Sequence, residues 1–265
     1  MDQILSKVVH ELQNKIKLID THCHLENEAF DSDRESVINE ALDLGISIIT
    51  SAIDKHLWDK CCEIAKAHSN VFASVGLDPT QFSECNLAID WIRSNKEKII
   101  SIGETGLDHY QIRDHLEREH QEACFRRLIE LAKGFELPIQ VHSRSAGRRA
   151  LEVLYSCDAS SVHMHAFDGK SSLARHASRE LGYYFSIPTS VVRSPQKRKL
   201  VKAVDIELLL LETDSPVLGP NRSERNVPSN LPVGLREVAS ILRRDEEELR
   251  EIILENTKRL YSGIM

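Results

Sequence analysis

The sequence predicts an α/β protein, a (β/α)8 barrel of the TIM type. Eight short apolar runs rich in β-branched residues alternate with helix-period segments along a chain of 265 residues. Eight such units in roughly 250 residues are typical of this barrel. No Gly-rich phosphate-binding motif follows the first strand, as it would in many doubly wound open sheets. The open sheet, which usually has fewer units, is the alternative.

The eight predicted strands are short and apolar almost throughout, as expected for strands that are buried on both faces. They cover residues 16–21, 46–53, 71–75, 99–102, 138–141, 161–164, 183–187 and 207–211. The intervals between strands predict helices over residues 33–44, 57–67, 87–94, 116–135, 147–155, 171–181 and 196–204, and two closing helices lie near 233–243 and 246–261. Asp245 is the expected N-cap of the last helix, with Glu248 three residues further on as in a capping box.

The chain shows no internal boundary. No low-complexity tract or Pro/Gly-rich linker divides it, so we expect a single domain over residues 1–265. Residues 1–14 have a helical pattern. We therefore expect residues 1–15 to form a short N-terminal helical extension that caps the lower end of the barrel.

Composition and charge exclude several classes of protein. With 34 Lys and Arg against 41 Asp and Glu, the net charge is −7, so a polyanionic substrate would need a local cationic surface or metal ions. No apolar run approaches the ~20 residues that cross a bilayer, and the first twenty residues lack the apolar region of a secretory signal. The six cysteines show no CxxC spacing. These features predict reduced thiols, no membrane partner and a cytoplasmic location.

Potential metal ligands follow five of the eight predicted strands. His22 and His24 follow the first strand, Glu104 the fourth, His142 the fifth, His165 the sixth and Asp214 the eighth. The carboxyl ends of barrel strands meet on one face, where barrel active sites lie, so these side chains are expected to converge. Singly, each has another interpretation; Asp214, for example, could be a helix N-cap before Pro216. Their joint placement predicts a metal site.

The number of these residues indicates two divalent ions. His22 and His24 are two residues apart on an extended segment, so their side chains point the same way. Four imidazoles and two carboxylates exceed the three protein ligands of one open catalytic site. Glu104 is the natural bridge because a carboxylate has two oxygens. The ligand set suits Mg, Mn, Fe or Zn and does not decide among them.

Five ordered motifs resemble the TatD family, a branch of the amidohydrolase-type metal-dependent hydrolases. They are IDTHCHLE (19–26), IGETGLDHY (102–110), LPIQVHSR (137–144), HAFDG (165–169) and LLETDSP (210–216). The resemblance continues to residues 256–260 and so covers nearly the whole chain. It implies a (β/α)8 barrel and a divalent-metal-dependent phosphodiesterase that acts as a 3′–5′ exodeoxyribonuclease, with single-stranded DNA or DNA ends as substrate, in the cytoplasm.

The resemblance also implies residue roles. It assigns the metal ligands to His22, His24, Glu104, His142, His165 and Asp214. His163 lies near the same mouth, and we expect it to be a polar group that closes a barrel layer rather than a ligand. One position departs from the family, whose members commonly have a His-Pro pair after the third strand where this chain has Asp78 in GLDPT. A carboxylate does not donate a proton to phosphate at neutral pH unless its pKa is raised, so this change weakens the implied preference for a DNA end.

A mechanism follows as an expectation. Two ions would clamp a phosphodiester and lower the pKa of a water, with Glu104 and Asp214 as the catalytic carboxylates and Asp214 as general base. Arg144, just after the fifth strand, is the expected phosphate contact because its planar guanidinium matches phosphate oxygens. Further substrate contacts are expected in the loop after the eighth strand, at Arg222, Arg225 and Asn226. A solvated loop with scattered charge is the alternative for these three.

Two other functions remain open at this stage. The same barrel and metals could cleave an ester or amide, for example on aminoacyl-tRNA, and the Asp78 departure keeps this alternative alive. A comparison of one aminoacyl ester with one single-stranded oligonucleotide would separate the two. A non-enzymatic, metal-loaded scaffold is the other alternative, and the complete set of motif positions argues against it.

Overall fold

The computed structural model describes residues 17–264, and within them eight parallel strands form one sheet in chain order. The strands are β1 (Leu18–Cys23), β2 (Ile46–Ala52), β3 (Val71–Val75), β4 (Ser101–Gly106), β5 (Ile139–His142), β6 (Val162–Met164), β7 (Tyr184–Pro188) and β8 (Leu209–Glu212). This sequential order confirms the predicted barrel, since the order of the strands reverses at one point in a doubly wound sheet. The expected N-terminal extension, residues 1–15, lies outside the described residues.

Helices on the outside of the sheet alternate with the strands, as the sequence predicts. They are α1 (Arg34–Asp43), α2 (Trp58–Ala67), α3 (Cys85–Asn95), α4 (His115–Phe135), α5 (Gly147–Ser156), α6 (Ser171–Leu181), α7 (Pro195–Val201), α8 (Leu231–Leu242) and α9 (Glu246–Leu260). The predicted cap of the last helix is present, because the Asp245 carboxylate accepts from the backbone N–H groups of Glu247 and Glu248. None of the helices in the described residues is long and apolar enough to cross a membrane.

Strand β4 is longer than the apolar run at 99–102 that predicts it. It continues through Glu104 to Gly106, and all six of its residues are buried. Hydrophobicity ends at Ile102 because the residues after it lie at the polar mouth of the barrel instead of against the helices. The sequence signal therefore marks where the apolar core ends rather than where the strand ends.

The inside of the barrel is layered. Inward positions alternate with positions that face the helices, and the lowest inward layer is a small apolar cluster that contains Ile19, Ile49, Tyr184 and Leu210. Residues that follow or end α9 complete this cluster, namely Leu260, Tyr261 and Ile264. The chain's own C-terminal segment thus packs into the lower end of the barrel.

The barrel closes where β1 meets β8. The Thr21 hydroxyl donates to the Leu211 carbonyl oxygen at 2.9 Å, and the backbone N–H of Asp214 donates to the His22 carbonyl oxygen at 2.9 Å. The buried Asp20 carboxylate also accepts from the backbone N–H of Thr213 at 2.8 Å. These contacts hold the first strand against the last one and bring their metal-capable residues together.

Candidate metal centre

Six polar side chains meet at the mouth formed by the carboxyl ends of the strands. His22 and Glu104 lie within β1 and β4, His142 ends β5, and His24, His165 and Asp214 follow β1, β6 and β8. Two triplets bring candidate ligand atoms within 4.8 Å of one another, His22–His24–Asp214 and His22–Glu104–His165. The triplets contain five of the six expected ligands, and the sixth, His142, contacts Glu104 through its Nδ1 atom.

Glu104 lies at the centre of this group and contacts four imidazoles. Its Oε2 atom is 3.2 Å from His22 Nε2 and 3.6 Å from His24 Nε2. Its Oε1 atom is 2.5 Å from His142 Nδ1 and 3.7 Å from His165 Nε2. Each carboxylate oxygen therefore faces a different pair of histidines.

Two glycines allow Glu104 to reach this position. Gly103 and Gly106 have φ values of +154° and +144°, which disfavour a residue with a side chain. A Cβ atom on Gly106 would lie 2.1 Å from the His142 carbonyl oxygen, and one on Gly103 would lie 2.5 Å from the Gln140 Cβ atom. The close approach of β4 to β5 therefore requires glycine on both sides of the central carboxylate.

Asp214 faces the same two histidines, His22 and His24, as the Oε2 atom of Glu104. Its Oδ1 atom is 3.6 Å from His22 Nε2 and 3.5 Å from His24 Nε2. The loop that carries it is held by Asn226, which is 1% exposed and donates from Nδ2 to the Thr213 carbonyl oxygen at 2.7 Å. The Asn226 side chain thus lies inside the loop rather than on the surface where a substrate contact was expected.

Every candidate histidine ligand has a second partner on its other ring nitrogen. These partners are Gln140 Oε1 for His22 (3.0 Å), the Ser51 carbonyl oxygen for His24 (2.8 Å), Asp108 Oδ2 for His142 (3.2 Å) and Glu212 Oε2 for His165 (3.0 Å). Such partners fix the tautomer and the ring orientation of metal-binding histidines. The nitrogens that remain point at Glu104 and Asp214.

The donor set fits a cation. The Nε2 atom of His22 is buried and has no hydrogen-bond partner within the described residues. Because Nδ1 is paired with the side-chain oxygen Oε1 of Gln140, Nε2 carries a lone pair. That lone pair faces the Glu104 and Asp214 carboxylates, which are acceptors when ionised. Three groups that all offer electron pairs to one point are satisfied by a divalent metal ion.

A buried hydrogen-bond chain runs beneath the candidate ligands from Gln140 to Glu212. Gln140 Nε2 donates to the Tyr261 hydroxyl (2.9 Å), and Tyr261 contacts His163 Nδ1 (2.6 Å). His163 Nε2 contacts the Ser186 hydroxyl (2.6 Å), which donates to Glu212 Oε2 (2.5 Å). Burial lowers the pKa of His163 to about 3, so its ring is neutral. Both His163 nitrogens are engaged, in agreement with a structural role and not with metal binding.

Electrostatics at the site favour positive charge. Burial opposes ionisation of Glu104, but the neighbouring His165 and His142 outweigh it and hold its pKa well below the ordinary range. Burial also opposes the charged form of His142, but Glu104 and Asp108 raise its pKa to about 10. In the metal-free protein, protons thus occupy positions that a metal ion would take in competition with them.

The expected cationic contacts differ in their surroundings. Arg144 is exposed, and its guanidinium lies 4.0 Å from the centre of the Tyr110 ring. Arg225 is bound by Asp33, with Nη1 2.9 Å from Oδ1, and lies over the Phe30 ring at 4.7 Å. Arg222 is exposed in the same loop. The structure therefore leaves Arg144 and Arg222 at the surface and uses Arg225 to bind the β8 loop to the segment after β1.

Asp78 acts as an N-cap in this structure. Its Oδ1 atom accepts from the Thr80 backbone N–H at 2.7 Å and from the Thr80 hydroxyl at 2.6 Å. It caps the short 3-10 segment Pro79–Glu84. The residue that departs from the family pattern therefore has a local structural role.

Sequence reasoning did not single out the partners of the ligands. Asp108 and Glu212 stand inside two of the quoted motifs, in GLDHY and LLETDSP, and their acidic character next to a candidate ligand is a usable signal. Gln140 lies two residues before His142 on the same strand face. Tyr261 carries no such signal, because its contact with His163 spans 98 residues of chain.

The fold and the site together define a metal-dependent hydrolase built on a (β/α)8 barrel. Residues 19–262 match the family model described as TatD related DNase, and the chain belongs to that family. The "Deoxyribonuclease TATDN3" of Homo sapiens is 34% identical over 93% of this chain and 95% of its own length. The "Uncharacterized metal-dependent hydrolase YabD" of Bacillus subtilis is 32% identical over 92% of this chain and 98% of its own length.

A solved structure has the same architecture. The TatD homologue YjjV from Escherichia coli superposes with a TM-score of 0.85 and is 25% identical, and the match covers 94% of this chain and 99% of that one.

Proposed function

We propose that this protein hydrolyses phosphodiester bonds of DNA with two divalent ions, and that it removes nucleotides stepwise from the 3′ end of single-stranded DNA or of DNA ends. The observation that carries the proposal is the position of Glu104, whose two oxygens face two different pairs of histidines. The printed names of the family model and of the human relative support DNA as the substrate.

The residues divide into two sets around Glu104. One set is His22, His24 and Asp214 with Glu104 Oε2, and the other is His142 and His165 with Glu104 Oε1. Two ions held in this way would supply Lewis-acid polarisation of the phosphate and a lowered pKa for a water molecule. Mg, Mn and Zn all suit this mixture of imidazole and carboxylate.

The chain's own groups then have distinct tasks. Asp214 holds one oxygen, Oδ1, toward His22 and His24. Its other oxygen is the acceptor that we assign to the proton of the attacking water, as general base. Arg144 would hold a phosphate oxygen with its planar guanidinium, and the contact with the Tyr110 ring holds that group in one orientation.

A low sequence specificity and a cytoplasmic setting belong to the same proposal. Aromatic residues are 5% of the chain, so few rings can stack on bases. All six cysteines are free and buried, which is compatible with a reducing compartment.

The test is hydrolysis of a single-stranded oligonucleotide labelled at its 5′ end. The protein is stripped with EDTA and then given Mg²⁺, Mn²⁺ or Zn²⁺. The proposal expects a ladder of products that shorten from the 3′ end only after a metal is restored. The Asp214→Asn variant, which keeps size and removes the charge, is expected to bind DNA and to leave it uncut.

Products of a single internal cut would refute the exonuclease part of the proposal. Hydrolysis of an aminoacyl ester by a protein that leaves the oligonucleotide intact with every metal would refute DNA as the substrate. Elemental analysis of the same samples shows whether two ions per chain are bound, independently of any activity.

A further inference from the structure

A groove of about 760 Å³ opens beside the candidate metal centre on the carboxyl-end face of the barrel. It lies between the first turns of α4 and α5 and the loop after β6. Gly147 lies against the carbonyl oxygen of Asp168, where a Cβ atom would approach to 2.5 Å. The loop after β6 therefore packs tightly on the start of α5 and forms the wall of the groove.

The inner end of the groove adjoins the metal centre. His109 and Ser145 line it, and each is the direct neighbour of a residue at the site. The His109 backbone N–H donates to the Arg144 carbonyl oxygen at 3.0 Å, and Asp108 contacts the candidate ligand His142. A strand that leaves the metal centre past Arg144 therefore enters this groove directly.

The groove carries cations that have no carboxylate partner in residues 17–264. They are Arg118, Arg148 and Lys170. Among the described residues, Arg118 donates only to the carbonyl oxygens of Ile112 and His109. Their charges are therefore not neutralised by ion pairs within the part of the chain that the structure describes.

The acidic residues of the groove are mostly bound by other groups. Glu122 accepts from Arg149 at 2.7 Å and also pairs with Arg126. Asp168 accepts from the Ser145 backbone N–H at 2.7 Å, and Glu119 lies 3.4 Å from His115 Nδ1. Glu152 pairs with Arg149 at 3.1 Å, so Glu119 and Asp168 are the groove carboxylates without an Arg or Lys partner in residues 17–264, against three cations without a carboxylate partner. The balance of these unpaired groups is therefore positive, although the chain as a whole carries −7.

The cations stand at positions that helices disfavour. Arg148 is the second residue of α5, Lys170 is the N-cap of α6, and Arg118 is the fourth residue of α4. Positive charge near a helix N-terminus opposes the helix dipole. These residues therefore lower the stability of the fold. Their positions favour the binding of an anionic ligand in the groove.

We propose that the groove binds the single-stranded part of a nucleic-acid substrate, next to the phosphate at the metal centre. The inference rests on the proposed function and adds to it the path of the strand. The phosphates would contact Arg118, Arg148 and Lys170. Tyr110, which is 53% exposed and stacked with Arg144, would pack against a base at the entrance to the groove.

The experiment compares a long and a short phosphodiester substrate. The long one is a dodecameric oligothymidylate, and the short one is the p-nitrophenyl ester of thymidine 5′-phosphate, which cannot reach the groove while it occupies the metal centre. The test protein is the Arg148→Glu, Lys170→Glu double variant. The matched control is Arg179→Glu, an exposed cation near the other end of α6.

The double variant is expected to lose about tenfold or more in kcat/KM on the dodecamer at low salt. The slope of log kcat/KM against log salt concentration should be shallower by about 1.4, or roughly 0.7 for each of the two lost phosphate contacts. Turnover of the short ester and of both substrates by the control should equal wild type. The melting temperature of the double variant should be unchanged or slightly higher, because acidic residues suit helix N-termini. A structural role for these cations would lower it.

Equal losses on the two substrates, or a dodecamer salt dependence like that of wild type, would overturn the groove proposal and leave the proposed function standing. A wild-type protein that cleaves neither substrate with any metal would instead refute the proposed function. Fluorescence anisotropy with a labelled dodecamer reports binding in the groove without cleavage. Equal affinities of the wild type and the double variant would overturn the inference by this measurement too.

Discussion

The Glu212→Gln substitution tests whether the buried partners of the ligands set the properties of the metal centre. Glu212 is fully buried, and its Oε2 atom accepts from His165 Nδ1 at 3.0 Å and from the Ser186 hydroxyl at 2.5 Å. Its Oε1 atom accepts from the Ala166 backbone N–H at 2.9 Å. Burial opposes its ionisation, but His165 and the other histidines nearby hold its pKa at about 2.

The magnitude follows from these three donors. A glutamine has one oxygen and one NH₂ group, so its NH₂ group faces either Ala166 N–H or the donors of His165 and Ser186. At least one buried donor then lacks an acceptor, which costs about 1–3 kcal/mol in the free energy of unfolding. Loss of such an outer partner lowers metal affinity by about 10–100-fold. We expect both effects for Glu212→Gln.

The assay is competition for Zn²⁺ or Co²⁺ with a chromophoric chelator, together with urea unfolding of the metal-free protein. The Co²⁺ absorption spectrum reports ligand geometry directly. Glu207→Gln is the matched control, since Glu207 is an exposed residue just before β8 that pairs with Arg259 at 3.5 Å. Metal affinity and Co²⁺ spectrum identical to those of wild type and control would refute the argument that Glu212 orients His165.

Three further predictions concern the ligands and the β8 loop. Glu104→Ala and Asp214→Ala should abolish hydrolysis and lower the metal content measured by elemental analysis while the far-UV circular dichroism spectrum stays native; activity in either variant would show that the roles are wrongly assigned. Metal affinity should rise with pH, about tenfold per unit for each proton released, because His142, with a pKa of about 10 in the metal-free protein, must lose its proton to bind a metal ion. Calorimetry in buffers of different ionisation enthalpy counts the protons released. A constant metal affinity between pH 6 and 8 would contradict this prediction. Arg225→Ala should lower the free energy of unfolding in urea by about 0.5–1 kcal/mol, because it removes a half-exposed ion pair with Asp33. The turnover of a small phosphodiester should be unchanged. Reduced turnover with unchanged stability would instead favour a role of Arg225 in substrate contact.

The fold and the convergence of the ligands follow from the sequence because both depend on local patterns. Strands that are buried on both faces give continuous apolar runs, and the polar residues that end them are visible as interruptions. His142 and His165 could be placed at one mouth because parallel strands with helical crossovers must end on the same face. Long-range geometry is not needed for this step.

Contacts that join distant parts of the chain could not be predicted. Arg225 pairs with Asp33, which is 192 residues away in the chain. No local sequence pattern distinguishes a surface arginine that pairs with a carboxylate from one that is free to bind a phosphate. Asn226 looks like a polar loop residue, but the loop folds around its amide. The role of Tyr261 likewise depends on how the C-terminal segment enters the barrel.

The closure of the barrel between β1 and β8 has a consequence for synthesis of the protein. Thr21 and Leu211, which meet there, are 190 residues apart. The candidate ligand His22 belongs to β1, and Asp214 follows β8. A nascent chain that ends before β8 holds histidines from the earlier strands but lacks Asp214 and the segment that supports it. The candidate centre is therefore complete only when the last strand and the loop after it have been made, and truncated or stalled chains carry an incomplete centre.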